Sequence, residues 1–167
     1  TAGITLIRDG IPRAIIAIAE DPDEHEELAV EELQTHLEKM SGAKVDAVTI
    51  NVDGAKSFIS ETKAAKKTPI LIGRITRERL AKEFKKPPMR GAFVLQVADS
   101  AVRIHGLEEG SYYGVIELLE QLGCRWFMPG DLGAVSPKLE TIMIKEQTTK
   151  QSPSFASRHF QMPNREW

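Results

Sequence analysis

The run Ala14-Ile15-Ile16-Ala17-Ile18-Ala19 has no polar position to turn toward water. A strand with one wet face alternates apolar and polar residues, whereas a strand buried on both faces need not. This segment is therefore expected in the interior of a sheet. The residues after it say how the chain leaves. Asp21-Pro22-Asp23 opens a helix, with Asp23 as N-cap and Glu24, Glu26 and Glu27 near the positive end of the helix dipole. Ala29, Leu33, Leu37 and Met40 follow at helical spacing, Gly42 fits the C′ stop, and Val45 to Ile50 reads as the next strand. Strand, helix and strand with short connections imply a crossover and some parallel pairing.

Further elements follow the same logic. Ile4 to Ile7 reads as a strand ending at the turn Asp9-Gly10. Ala55 to Lys66 reads as a helix, Ile70 to Gly73 as a buried strand, and Thr76 to Phe84 as a helix ended by Pro87-Pro88. Ala92 to Ala98 and Ala101 to His105 flank Asp99-Ser100 as a hairpin. A two-residue loop sets Val97 opposite Val102, Leu95 opposite Ile104 and, on the other face, Gln96 opposite Arg103. Ser111 to Leu122 is expected as a helix with Val115, Ile116, Leu119 and Leu122 inward, stopped by Gly123. Cys124 to Phe127 and Thr141 to Ile144 are the last expected strands. Glu146 to Ser154, polar and containing Pro153, reads as a linker or domain edge. Phe155, Phe160 and Trp167 then crowd a tail with no strong element, as the start of a further domain would, the alternative being a tail that packs back on this one.

Several chemistries find no support. With one cysteine, Cys124, an intrachain disulfide or multi-cysteine zinc site cannot form. His25, His36, His105 and His159 show no metal-ligand spacing and are expected as surface or capping residues, so no metal or cofactor is expected. No Walker loop, Gly-x-Gly-x-x-Gly or Gly-x-Ser-x-Gly element is present, and no Ser-His-Asp order can be defended. Glu108 and Glu109 disfavour a phosphate beside Gly106 to Gly110. Glu117 and Glu120 are expected to face water. Cys124, opening an apolar strand, reads as a buried structural thiol. A net charge of -2 gives no basic excess for nucleic acid, and no apolar run nears the roughly 20 residues of a membrane span. The basic stretch from Lys63 to Lys86, including Arg74, Arg77, Arg79 and Lys82, has no aromatic ladder and reads as a solvated face.

The segment Gly114 to Gly133, which includes Gly123-Cys124-Arg125-Trp126-Phe127-Met128-Pro129-Gly130-Asp131-Leu132, resembles part of a known accessory domain. That domain precedes the catalytic barrel in α-glucuronidases of glycoside hydrolase family 67 and related secreted proteins; a similar one precedes the barrel of β-N-acetylhexosaminidases. Leu28 to Gln34, Met40-Ser41-Gly42-Ala43, Ile70-Leu71-Ile72-Gly73 and Ile104-His105-Gly106 stand in matching order. The resemblance spans roughly residues 4 to 160. It implies an α/β (α+β) fold: a mixed β-sheet with helices packed mainly on one face, like the hexosaminidase N-terminal domain. It also implies that residues 1–150 form a non-catalytic accessory domain, with 151–167 a linker and the start of a catalytic barrel. That barrel, on the same polypeptide, would be the partner, with a polysaccharide or oligosaccharide as possible ligand. A secreted or periplasmic protein follows; the first residue is Thr1, not Met, so a signal peptide would lie outside this sequence. Catalytic residues cannot be carried over, because the barrel holds them. Arg158, in Phe155-Ala156-Ser157-Arg158-His159-Phe160, resembles the sugar-contacting arginine of the first barrel strand and is the one substrate-binding candidate. The rival readings are a stand-alone carbohydrate-binding module with Trp126 as its platform, and a protein-interaction module using the basic face.

Overall fold

The computed structural model describes residues 3–77, 81–84 and 88–154. The Ala14–Ala19 run, β3, is an interior strand, and Ala14, Ile16, Ala17, Ile18 and Ala19 are all buried. It pairs in parallel with β4 (Ala47–Ile50) on one side and β5 (Thr68–Ile72) on the other. Next to β5 lies β7 (Ala101–Gly106), again parallel, and then β6 (Phe93–Ala98), antiparallel to β7. The last strand is β11 (Gln147–Gln151), so the six-stranded sheet has the order β11-β6-β7-β5-β3-β4. A small antiparallel sheet joins β1 (Gly3–Arg8), β2 (Ile11–Pro12) and β10 (Ile142–Lys145).

The two faces of the main sheet are covered unequally. Ile16 and Ile18 of β3 face α1 (Glu24–Ser41), α3 (Gly110–Gln121) and the small sheet, whose Leu6, Ile7 and Ile142 enter one large core. Ala17 and Ala19 face the other way, toward α2 (Ala55–Ala64) and Ile75. Alternation along the strand produces this split, and most of the helical cover lies on the first face, as the resemblance implies. Local signals place α1: the Asp23 side chain accepts from the Glu26 N–H, the Glu26 carboxylate accepts from the Asp23 N–H, and Gly42 takes the left-handed C′ conformation. The hairpin register is as expected, with Val97 opposite Val102, Leu95 opposite Ile104 and Gln96 opposite Arg103.

Some expectations fail. Within Glu146 to Ser154, read as a linker or domain edge, Gln147–Gln151 forms an unforeseen edge strand antiparallel to β6. Strand pairing is made by the backbone, and polar side chains suit an exposed edge. Of the helix expected over 76–84, Arg77 is helical, between 3₁₀ turns at Gly73–Thr76 and Ala81–Glu83; residues 78–80, Leu80 among them, lie outside the described residues. The strand expected from Val45 begins at Ala47, and that from Cys124 contains only Arg125–Trp126 (β8), paired with Ala134–Val135 (β9). His36 and His105, expected at the surface, are buried.

Candidate functional site

Two constellations of polar side chains emerge. The first lies on the second face, at the carboxyl ends of the parallel strands. There β3 leaves toward α1 on the first face, while β5 leaves through the Gly73–Thr76 turn, whose Ile75 packs on the second face. A cavity of about 410 Å³ lies here. Its apolar wall is formed by Ile59, Leu71 and Ile75, and its charged lining is Asp53, Lys56, Arg74, Lys82 and Arg103.

Each charged group is placed by local structure. Lys56 stands in the first turn of α2, behind a 3₁₀ turn whose N-cap Asn51 accepts from the Asp53 N–H. Arg103 is the β7 partner of Leu71 in the β5–β7 ladder, which sets it on the cavity side; its guanidinium donates to the Ala98 carbonyl at 3.3 Å. Arg74 follows Gly73, and the buried Glu26 holds the turn: its Oε1 accepts the Arg74 N–H at 2.6 Å and its Oε2 lies 3.4 Å from Arg74 Nε. Behind this turn Thr76 Oγ1 lies 2.7 Å from the Gly73 carbonyl and 3.1 Å from that of Ile104. His105 packs at the same place. Burial holds its imidazole below the ordinary histidine range, against a hydrogen bond to the Gly73 backbone, and Arg77 adds to the depression. Its Nδ1 has no partner among the described residues.

The second constellation is Glu32, His36 and Ser136. Glu32 Oε1 lies 3.1 Å from His36 Nε2, and Ser136 Oγ lies 2.8 Å from His36 Nδ1. The order carboxylate, imidazole, hydroxyl matches that of a hydrolytic triad. A nucleophile also needs a substrate cavity beside it, and Ser136 does not line the cavity described above. The surroundings are those of a clasp. Trp126 meets the His36 ring edge-on at 5.1 Å, and Cys124 Sγ lies 3.8 Å from Ser136 Oγ and 3.7 Å from Met40 Sδ. These contacts fasten the segment after α3 to α1.

Other expectations resolve individually. Arg158 lies outside the described residues. Cys124 is buried, and burial pushes its thiol up, away from nucleophilic character. Glu108 and Glu109 both pair with Arg90, at 2.8 and 2.9 Å. Glu117 accepts from Gln121 and Gln151. Trp126 is engaged with His36 and is no open platform; the exposed aromatic on this strand's edge is Phe127. No group of three metal-ligating side chains is found among the described residues, and no helix there is long and apolar enough to cross a membrane. Sequence reasoning missed the Glu32-His36-Ser136 contact because Ser136 is a hundred residues from His36. It missed the cavity because Arg103 reaches it from the hairpin and not from the basic stretch.

With this geometry established, the class is an α/β domain built on a mixed sheet. Solved glycoside hydrolases contain the same fold. The chain is similar to part of a family GH115 4-O-methyl-α-glucuronidase with specificity for decorated arabinogalactans, with 21% identity and a TM-score of 0.62 over 90% of this chain and 18% of that one. It is also similar to part of the GH20 β-N-acetylhexosaminidase of Streptomyces coelicolor A3(2), with 12% identity and a TM-score of 0.53 over 93% of this chain and 24% of that one. A Streptomyces plicatus β-hexosaminidase matches in the same way, with 13% identity, a TM-score of 0.51 and the same coverages of 93% and 24%. No protein-family model and no curated protein matches the chain in sequence. The chain thus spans less than a quarter of the length of these neighbours, and at this identity the likeness defines the fold.

Proposed function

We propose that the chain is a non-catalytic N-terminal accessory domain of a larger glycoside hydrolase-like protein in carbohydrate metabolism, packing against a catalytic (β/α)₈ barrel on the same polypeptide. The observation that carries this reading is the coverage: 90–93% of the chain matches only 18–24% of its neighbours' length. In this reading residues 1–150 are the domain, 151–167 lead into the barrel, Arg158 contacts sugar there, and the protein is secreted or periplasmic. An α-glucuronidase activity, as in family GH67, is the finer form of the proposal.

A surface suited to such packing is present. In the segment after α3, Phe127 is 75% and Leu132 97% exposed, and Met128 and Val135 are exposed beside them. Large apolar groups gathered on one loop favour burial against another surface. The His36 clasp fixes the base of this loop. The test compares hydrogen exchange of the 167-residue chain with that of a version extended through the following residues. Protection of residues 127–135 in the extended protein, with no turnover of aryl glycosides or glucuronoxylan fragments by the shorter chain, is the expected result. Turnover by the shorter chain, or identical exchange in both, overturns the reading.

A further inference from the structure

We propose that the crevice on the second face, beyond the carboxyl ends of β4 and β5 and beside Arg103 of β7, is a binding site for a small organic anion, with a carboxylate or phosphate group carried on a ring-sized body. Four cations from four different parts of the chain converge on this one cavity: Lys56 from α2, Arg74 from the turn after β5, Lys82 from the 81–84 segment and Arg103 from β7. Asp53 stands in the lining and Glu26 pairs with Arg74 from behind. Charges of one sign held in a concave, partly apolar site focus their field and raise the local concentration of counter-ions.

A solvated basic face would look different. Its cations would spread outward over a convex surface, as long side chains do to remain hydrated. Here Arg103 is 5% exposed and its strand partner is the apolar Leu71, so its charge is presented within the fold. The forked guanidinium groups of Arg74 and Arg103 suit the paired oxygens of a carboxylate or phosphate, and Lys56 and Lys82 add point charges at the rim. The wall of Ile59, Leu71 and Ile75 offers apolar surface to a ring. A volume of about 410 Å³ lies toward the small end of the ligand-site range. The site stands whether or not the chain packs on a barrel, so its test is independent of that reading.

The experiment is an amide-resolved NMR titration of the 167-residue chain with glucuronate, glucose 6-phosphate, inorganic phosphate and, as the neutral control, glucose. Saturable shifts at residues 53–56 and 73–76, with dissociation constants of roughly millimolar or tighter that weaken with added salt, are expected for at least one ring-bearing anion. Glucuronate alone would identify the carboxylate as the source, and glucose 6-phosphate alone the phosphate. Lys56→Ala with Lys82→Ala, both near the surface, should lower affinity about tenfold or more, as loss of charge-assisted bonds does. Lys145→Ala on β10 should leave affinity unchanged, and thermal melts should confirm that all variants fold. Glucose binding as well as the anions, inorganic phosphate binding as well as both ring-bearing anions, no saturable shift with either of these, or unchanged affinity in the double variant would each overturn the proposal.

Discussion

The Glu26 carboxylate occupies the space that a side chain at residue 73 would need: a Cβ built on Gly73 falls 2.0 Å from Glu26 Oε1. Gly73 also has φ +80, where non-glycine residues are strained. One carboxylate thus closes the N-terminus of α1 and fixes the turn that carries Arg74 to the cavity. Gly73→Ala should destabilise the chain by about 3 kcal/mol, combining backbone strain with displacement of a buried carboxylate. Urea unfolding would show the midpoint shift. A loss under about 0.5 kcal/mol would mean that the turn does not depend on this contact.

Glu26→Ala tests the same joint from the other side. It removes the half of the capping box in which the Glu26 carboxylate accepts from the Asp23 N–H, and it leaves the Arg74 N–H without its carboxylate acceptor. The expected loss is about 2 kcal/mol, above that of an ordinary capping residue. Because both changes act at one contact, the double variant should lose clearly less than the sum of the singles. A double-mutant cycle on urea midpoints measures this, and strict additivity would sink the coupling.

Which parts of this were readable beforehand follows from range. The α1 start was legible because Asp23 and Glu26 act within one turn, and the β6–β7 register because a two-residue loop permits only one apolar match. The other role of Glu26 was not legible: its contact with Arg74 spans 48 residues and leaves no local spacing. The same holds for the clasp between His36 and Ser136, and for Arg103, whose place beside Leu71 depends on strand order. The strand at Gln147–Gln151 was not legible because its pairing uses backbone groups that every polar sequence also has. Arg158, the one site residue offered by resemblance, lies outside the described residues.

Ser136→Ala separates clasp from catalysis. The change removes the partner of His36 Nδ1, and a buried polar atom left alone costs about 1–2 kcal/mol. The expected result is a lower urea midpoint with an unchanged slope, and no covalent labelling of the unaltered chain by a serine-directed fluorophosphonate. Stoichiometric labelling at Ser136 would instead make the Glu32-His36-Ser136 arrangement a working triad.

His105 should leave a signature in the pH dependence of stability. Its folded-state pKa lies below the ordinary value, chiefly through burial. Below about pH 6.5 the unfolded chain therefore binds a proton that the folded chain refuses. The stabilising contribution is complete above that pH and declines as pH falls toward the folded-state value. His105→Gln should flatten this part of the profile relative to the unaltered chain, whatever it does to stability at neutral pH. Chemical denaturation at a series of pH values gives the comparison, and parallel profiles would rule out His105 as the source.

The hairpin turn offers a gain. Asp99 and Ser100 both have positive φ, at 52 and 54, as a two-residue turn between twisted strands demands. Glycine reaches that region without the Cβ clash that serine suffers, and in the second position it is the residue such turns favour. Ser100→Gly gives the unfolded chain more freedom, which offsets part of the relief. The net expectation is a stabilisation of about 0.5 kcal/mol. The change should also slow exchange of the β6 and β7 amides while leaving the cavity residues untouched. A variant less stable than the original would show that the serine hydroxyl or local packing outweighs the backbone strain at this turn.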